Sequence, residues 1–231
     1  MSGEVVYGRN PVRELLAADR RRVHDIWATG TALDEPWLAG DRRVRRRQKA
    51  EIGRAAGSSA HQGIVAFCDP YPYAREADVL HGVGPVVAVD GVDDPRNLGA
   101  IARVVEAAGC AGMIIPGRGG ASVTPATVQS SAGAVEHRAV ARVESRPGAL
   151  SAARAVGREV VGSDSDGDDF RRSPLGPSSV LVLGSEGEGL RPRVRRACDR
   201  VVAIPMRGRV DSLNVSVAAG VLLFGAPSSA D

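Results

Sequence analysis

Lysine is almost missing from this chain. Lys49 is the only one in 231 residues, so nearly all of the 30 basic side chains are arginine. Cysteine is scarce as well. Cys68, Cys110 and Cys198 stand far apart with no CxxC pair, which excludes a disulfide framework and a zinc site. Each reads as a small buried apolar residue. His24, His61, His81 and His137 share no ligand spacing, so no metal is expected. No apolar run reaches the length of a membrane span, and the opening MSGEVVYGRNPVREL lacks an apolar signal-peptide core. A soluble, cytoplasmic protein with no membrane partner is expected. There is no P-loop and no GxSxG elbow. The acidic stretch GSDSDGDDF (162–170) fails as a calcium loop: its sixth position is Asp169 rather than Gly and its twelfth is Leu175 rather than Glu. It reads as a solvated loop.

What remains is a globular composition, 43% hydrophobic, long enough for one large domain or two modest ones. The net charge of +3 says less than its distribution. Arg20, Arg21 and Arg22 form one cluster; Arg42, Arg43, Arg45, Arg46, Arg47 and Lys49 form another. A solvated charged face explains either alone. Both fall in the first quarter of the chain, which favours a nucleic-acid surface there, since guanidinium forks suit phosphates.

The chain divides by pattern. In residues 1–68, GRNPVRELLAA reads as a helix capped by Asn10, VHDIWATG (23–30) as a strand, VRRRQKAEIGRAAG (44–57) as a helix stopped at Gly57, and GIVAFC (63–68) as a strand. Residues 69–85, rich in proline, glycine and charge, read as a linker. Over 86–226, near-continuous apolar strands alternate with helices, which indicates an α/β fold with a parallel sheet covered on both faces.

In open α/β sheets ligands bind at the C-terminal strand ends, and three of those ends carry unusual residues. DGVDDPRNLGAIARVVEAAG (90–109) offers acids, then Asn97 as a candidate N-cap, with Pro95 and Gly99 shaping the turn and Arg103 on an otherwise apolar helix. Arg103 is either a snorkelling structural arginine or a functional one. LVLGSEGEGL (181–190) places Glu186 on a glycine loop whose Gly184, Gly187 and Gly189 let a backbone approach a ligand. An ordinary turn fits that loop equally. AIPMRGRVDSLNVSV (203–217) puts Ser212 at the cap of an apolar helix, with open N–H groups that favour an anion. Capping explains Ser212 and does not explain Asn214; Ser216 has no assigned role.

Together, and in this order, these motifs resemble the SpoU (TrmH-like) branch of the SPOUT superfamily, RNA ribose 2′-O-methyltransferases that use S-adenosylmethionine. Asn97 and Arg103 match the first motif, Glu186 the second, Ser212 and Asn214 the third, over residues 86–224. YGRNPVREL and AHQGIVA resemble the opening and close of the small L30e-like substrate-binding domain. SSAGAVEHRAVARV (130–143) resembles the subgroup that methylates a guanosine of 23S ribosomal RNA; transfer-RNA and antibiotic-resistance branches share the core motifs.

The resemblance implies a SPOUT-type parallel sheet with a C-terminal trefoil knot, which topology rules alone would argue against. It implies a homodimer and a catalytic set of Arg103, Asn97, Glu186, Ser212 and Asn214. Leu183, Gly184, Ile204, Met206 and Leu213 would hold the cofactor, and Arg9, Arg45, Arg46 and Arg47 the RNA. Arginine is an awkward base because it stays protonated, so Arg103 is read as stabilising the developing alkoxide. Two rivals are weaker. A nucleotide-binding oxidoreductase lacks GxGxxG after a first strand, and an inactive RNA-binding protein would not need the full motif set.

Overall fold

The computed structural model describes residues 3–185, 187 and 189–225. The N-terminal part is a mixed sheet of β1 (Glu4–Tyr7), β2 (Val23–Ala28), β3 (Val44–Arg46) and β4 (Ile64–Cys68) in the order β1-β4-β2-β3. Helix α1 (Arg9–Ala18) packs on one face and α2 (Lys49–Ala56) on the other. Three local expectations are corrected. Gly8, not Asn10, precedes α1, at φ 98. Residues 44–46 are a strand pairing with β2, so the expected helix begins only at Lys49. The edge strand β1 carried too short a pattern to read. Gly57 does close α2, in the left-handed region.

The supposed linker is ordered. It holds α3 (Glu76–Leu80), whose Val79 and Leu80 are buried. Ahead of α3, Ala74 donates its N–H to Val140 O at 2.9 Å, and Val123 N–H donates to the Tyr73 hydroxyl at 2.9 Å. The proline-rich composition thus marks a strap that covers a sheet edge.

The second part is six parallel strands: β5 (Val86–Val89), β6 (Gly112–Pro116), β7 (Ala139–Val143), β8 (Glu159–Asp169), β9 (Ser179–Leu183) and β10 (Arg200–Ala203), in the order β10-β8-β9-β5-β6-β7. Alternate side chains feed two cores. Val87, Val89, Leu181 and Leu183 meet α4 (Pro95–Ala107), α5 (Pro125–Ser130) and α8 (Val215–Phe224). Val86, Ala88, Val180 and Val182 meet α3, α6 (Arg146–Ala155) and α7 (Pro192–Arg195). This is the two-face burial that the continuous apolar strands anticipated.

Helix α4 starts where Asp94 accepts the Arg96 N–H at 2.8 Å with Pro95 at its first position, so Asp94 rather than Asn97 is the cap. Gly99 is not a turn residue. A Cβ there would sit 2.5 Å from Thr127 O, so glycine lets α4 and α5 touch.

The acidic stretch is corrected too. It belongs to β8, whose register against β10 jumps from Val201↔Gly162 to Val202↔Asp168. Residues 163–167 therefore bulge relative to β10 instead of forming a free loop, while Ser163 still pairs with Leu183 of β9. Cys68 and Cys110 are buried and Cys198 half-buried; burial pushes each thiol up to about 11.

Two residues of the first arginine cluster, Arg20 and Arg21, lie in the seam between the two parts, while Arg22 is exposed. Arg21 and Glu136 form a buried ion pair, with Arg21 Nε donating to Glu136 Oε2 at 3.1 Å and Arg21 Nη1 donating to Glu4 at 2.9 Å. Arg20 donates to the carbonyls of Glu136 and Arg138. The buried Tyr71 hydroxyl donates to Val135 and Arg138 carbonyls at 3.0 and 2.9 Å.

Candidate active site

Parallel strands bring their C-terminal ends to one edge of the sheet, and the loops leaving β8, β9 and β10 enclose a cavity of about 400 Å³. That size suits a small molecule, for which sites span roughly 300–1,000 Å³. Leu183, Gly184, Ile204, Met206 and Leu213, the cofactor-holding residues expected from sequence, all line it, and so does Ser212. Its wall is mixed: these apolar side chains face Ser163, Asp164, Ser165 and Asp211.

The glycine loop is shaped by its own closure. Ser185 N–H donates to Gly189 O at 3.0 Å, and Gly189 N–H returns to Ser185 O at 3.2 Å. A Cβ on Gly184 would lie 2.3 Å from the Gly189 carbonyl carbon, and one on Gly189, already at φ +66, would strike the Asp164 carboxylate at 2.7 Å. These two glycines therefore answer to the loop itself as well as to a ligand.

Two acids anchor this loop. Asp164 accepts the Leu190 N–H at 3.2 Å and pairs with Arg195 at 3.2 Å. The fully buried Asp90 accepts Arg146 Nε at 2.6 Å and the Arg191 N–H at 3.0 Å. Buried carboxylates persist when charge and hydrogen bonds satisfy them. Glu186 lies outside the described residues.

The segment 204–214 runs without helix or strand from β10 to α8. Here the capping expectation shifts by two residues. Asn214, not Ser212, caps α8: its Oδ1 accepts the Ser216 N–H at 2.9 Å and the Ser216 hydroxyl at 2.6 Å. This also gives Ser216 a partner. Asn214 Nδ2 donates to Asn97 Oδ1 at 3.0 Å, joining the first and third motifs across 117 residues. Ser212 and Asn214 thus take different jobs, one on the cavity wall and one bridging to α4.

Arg103 stands apart. It is exposed on α4, and no described hydrogen bond or ion pair ties it to Asn97, Ser212 or Asn214. Arg45, Arg46 and Arg47 are exposed on and beside β3. Arg9 is engaged inside its own domain, with Glu35 at 3.0 Å and with Thr31.

Asp164 with its serine neighbours, and Asp211, were missed in the sequence. Their signal was position: Asp164 directly follows the apolar run EVVG and Ser163, at the strand end where α/β sites form.

A parallel sheet with a mixed polar and apolar cavity at its carboxyl edge, beside a small domain with exposed arginines, defines the class as a two-domain enzyme that handles a small cofactor and a large anionic substrate. The comparisons with known proteins are specific. The profile of the SpoU rRNA methylase family matches residues 84–224, and that of the RNA 2′-O ribose methyltransferase substrate-binding domain matches residues 5–74.

An uncharacterized tRNA/rRNA methyltransferase of Mycolicibacterium gilvum is 41% identical over 95% of this chain and 74% of its own length. A protein of the same description from Mycolicibacterium vanbaalenii is 42% identical, with the same coverage. Among solved structures, the SpoU methyltransferase AviRb of Streptomyces viridochromogenes with AdoMet superposes with a TM-score of 0.80 at 26% identity, covering 96% of this chain and 88% of that one. The AdoMet-bound rRNA methyltransferase of Sinorhizobium meliloti gives 0.80 at 26%, covering 96% and 86%. The chain belongs to the SpoU family of RNA methyltransferases.

Proposed function

We propose that this chain transfers the methyl group of S-adenosylmethionine to a ribose 2′-oxygen of RNA, with a guanosine of 23S ribosomal RNA as the target. One observation carries the reading: Leu183, Gly184, Ile204, Met206, Ser212 and Leu213, distant in sequence, meet on one cavity. The cavity fits the cofactor by chemistry as well as volume. Its apolar wall suits an adenine ring, and the Asp164 and Asp211 carboxylates suit a ligand bearing ammonium and sulfonium charge. When bound, S-adenosylmethionine supplies an already activated methyl.

The protein's task is then to position the oxygen and stabilise charge. Arg103, a guanidinium exposed on α4, stabilises the developing alkoxide. The Asn97–Asn214 pair fixes the start of α4 against the start of α8. Ser212 lies on the cavity wall, and the family resemblance assigns Glu186 to the same catalytic set.

Two further parts of the reading have separate support. The path of residues 204–214 from the sheet edge back to α8, which packs on α4, supports a knotted chain. Val217 and Phe224, one helical repeat apart on α8, are 51% and 62% exposed. Such apolar exposure supports a second copy covering this face and completing the site around Arg103. The match of 130–143 to the 23S-directed subgroup supports the guanosine target. The relatives described as acting on tRNA or rRNA favour transfer RNA as the second reading.

Arg103→Ala is expected to bind S-adenosylmethionine normally and to lose methyl transfer. Full activity in that variant refutes the role of Arg103. Ribose-methylation mapping of ribosomal and transfer RNA, with and without the gene, identifies the target.

A further inference from the structure

One face of the N-terminal sheet is only half covered. Strand register places two cross-strand rows on it: Tyr7, Val65, Trp27 and Arg45 in one, Val5, Phe67 and Asp25 in the next. Helix α2 buries Tyr7 and Val65 against Ile52. Trp27 and Phe67 stay partly exposed.

Their rings meet edge to face with centroids 4.8 Å apart. The indole N–H of Trp27 donates to Asp25 at 2.8 Å, which fixes the ring plane. Arg45 lies 3.8 Å from the same carboxylate and is 60% exposed. The Arg47 guanidinium sits over the Trp27 ring, 5.2 Å from its centroid. Among the described residues Arg47 has no ion pair, and its one side-chain hydrogen bond is a 3.5 Å approach to the Arg46 carbonyl.

Trp27 packs at the margin of the Tyr7–Ile52–Val65 core yet stays partly exposed, its indole N–H held by Asp25, its ring edged by Phe67 and flanked by arginines, and packing alone does not account for that combination. A buried position under α2 would remove more apolar surface from water. The combination suits an unpaired nucleotide. Bases stack on aromatic faces while arginines take the phosphates, and a duplex conceals those base faces.

We propose that Trp27 is a stacking site for an unpaired base, which takes the place of Arg47 on the ring while Arg45 and Arg47 turn to the flanking phosphates. The substrate class is then RNA presenting single-stranded or looped nucleotides. This rests on the reading of the chain as an RNA methyltransferase.

The chain has two tryptophans, so Trp37→Phe leaves Trp27 as the sole tryptophan fluorophore of the full-length protein. That protein is titrated with a short unstructured oligoribonucleotide and with a blunt RNA duplex of the same sequence, with binding read separately by anisotropy of end-labelled RNA. The expected result is quenching of Trp27 in step with oligonucleotide binding and none with the duplex. In the otherwise native chain, Trp27→Leu should weaken oligonucleotide binding about tenfold and leave duplex binding unchanged. Trp27→Phe, which keeps a ring, should recover most of the loss. Binding without quenching, or equal losses for both RNAs, overturns the stacking site while the RNA reading stands. Failure of the folded wild type to bind either RNA overturns both.

Discussion

The two arginine clusters look alike in sequence and meet different fates. Arg20 and Arg21 are absorbed into the seam between the sheets, where Arg21 is buried against Glu136 and Arg20 satisfies backbone carbonyls. Arg45, Arg46 and Arg47 remain exposed beside Trp27. A run of positive charge is therefore not a binding surface until its acids are located. For the first cluster the decisive acid is 115 residues away, on the turn Ala134–His137. For the second, the nearby carboxylates of Asp25 and Asp41 take up Arg43 and part of Arg45 and leave the rest unneutralised.

The largest test of this contrast is stability. Glu136→Ala leaves Arg21 buried without its main partner and should cost about 3–5 kcal/mol, read as a fall in urea midpoint. Arg46→Ala, on an exposed edge, should stay within about 0.5 kcal/mol. Equal effects would erase the distinction.

The next test is RNA affinity. Neutralising Arg45, Arg46 and Arg47 together should weaken RNA binding and flatten its salt dependence, by about 0.7 in log-log slope for each phosphate that no longer meets an arginine. Arg20→Gln should leave the slope unchanged. A flattened slope in Arg20→Gln would return the first cluster to the RNA surface.

A smaller test concerns α1, which meets the same turn through Glu14 and His137 at 2.8 Å. Burial raises the Glu14 carboxyl, but hydrogen bonds from His137 and Arg13 outweigh it and hold the group below its ordinary value of 4.5. A lowered carboxyl contributes fully above 4.5 and loses that contribution as the pH falls from there through its lower folded value. Glu14→Gln should therefore narrow the difference in melting temperature between pH 7 and pH 4. An unchanged difference would show that this pair contributes nothing to the seam.

The same comparison shows how much was legible. The parallel sheet and most of its helices were, because continuous apolar strands and helical runs are local signals. Gly57 closing α2 followed from a short-range rule. What escaped depended on distant partners. Asn97 read as the cap of α4, whereas Asp94 caps the helix and Asn97 accepts from Asn214, 117 residues away. Gly99 resembled a turn residue until α5 was seen to touch it. The acidic stretch read as a free loop because the register that leaves residues 163–167 unpaired with β10 is set elsewhere, although Asp166 and Asp168 are indeed exposed. At the site, the residues that the family resemblance assigned to the cofactor lie together on one cavity. Asp164 was lost among its neighbours, since nothing local distinguishes a cavity-facing acid from a solvated one.

The account's central claim is that one cavity at the sheet edge serves methyl transfer to RNA bound by the small domain. The most direct measurement is transfer of tritium from methyl-labelled S-adenosylmethionine to RNA, followed by nucleoside analysis, for the wild type and for Leu213→Asp, which places a charge on the cavity wall. The account predicts 2′-O-methylated nucleosides with the wild type, and loss of both cofactor binding and labelling in the variant. Label in a base methyl group, or full labelling by Leu213→Asp, would contradict it.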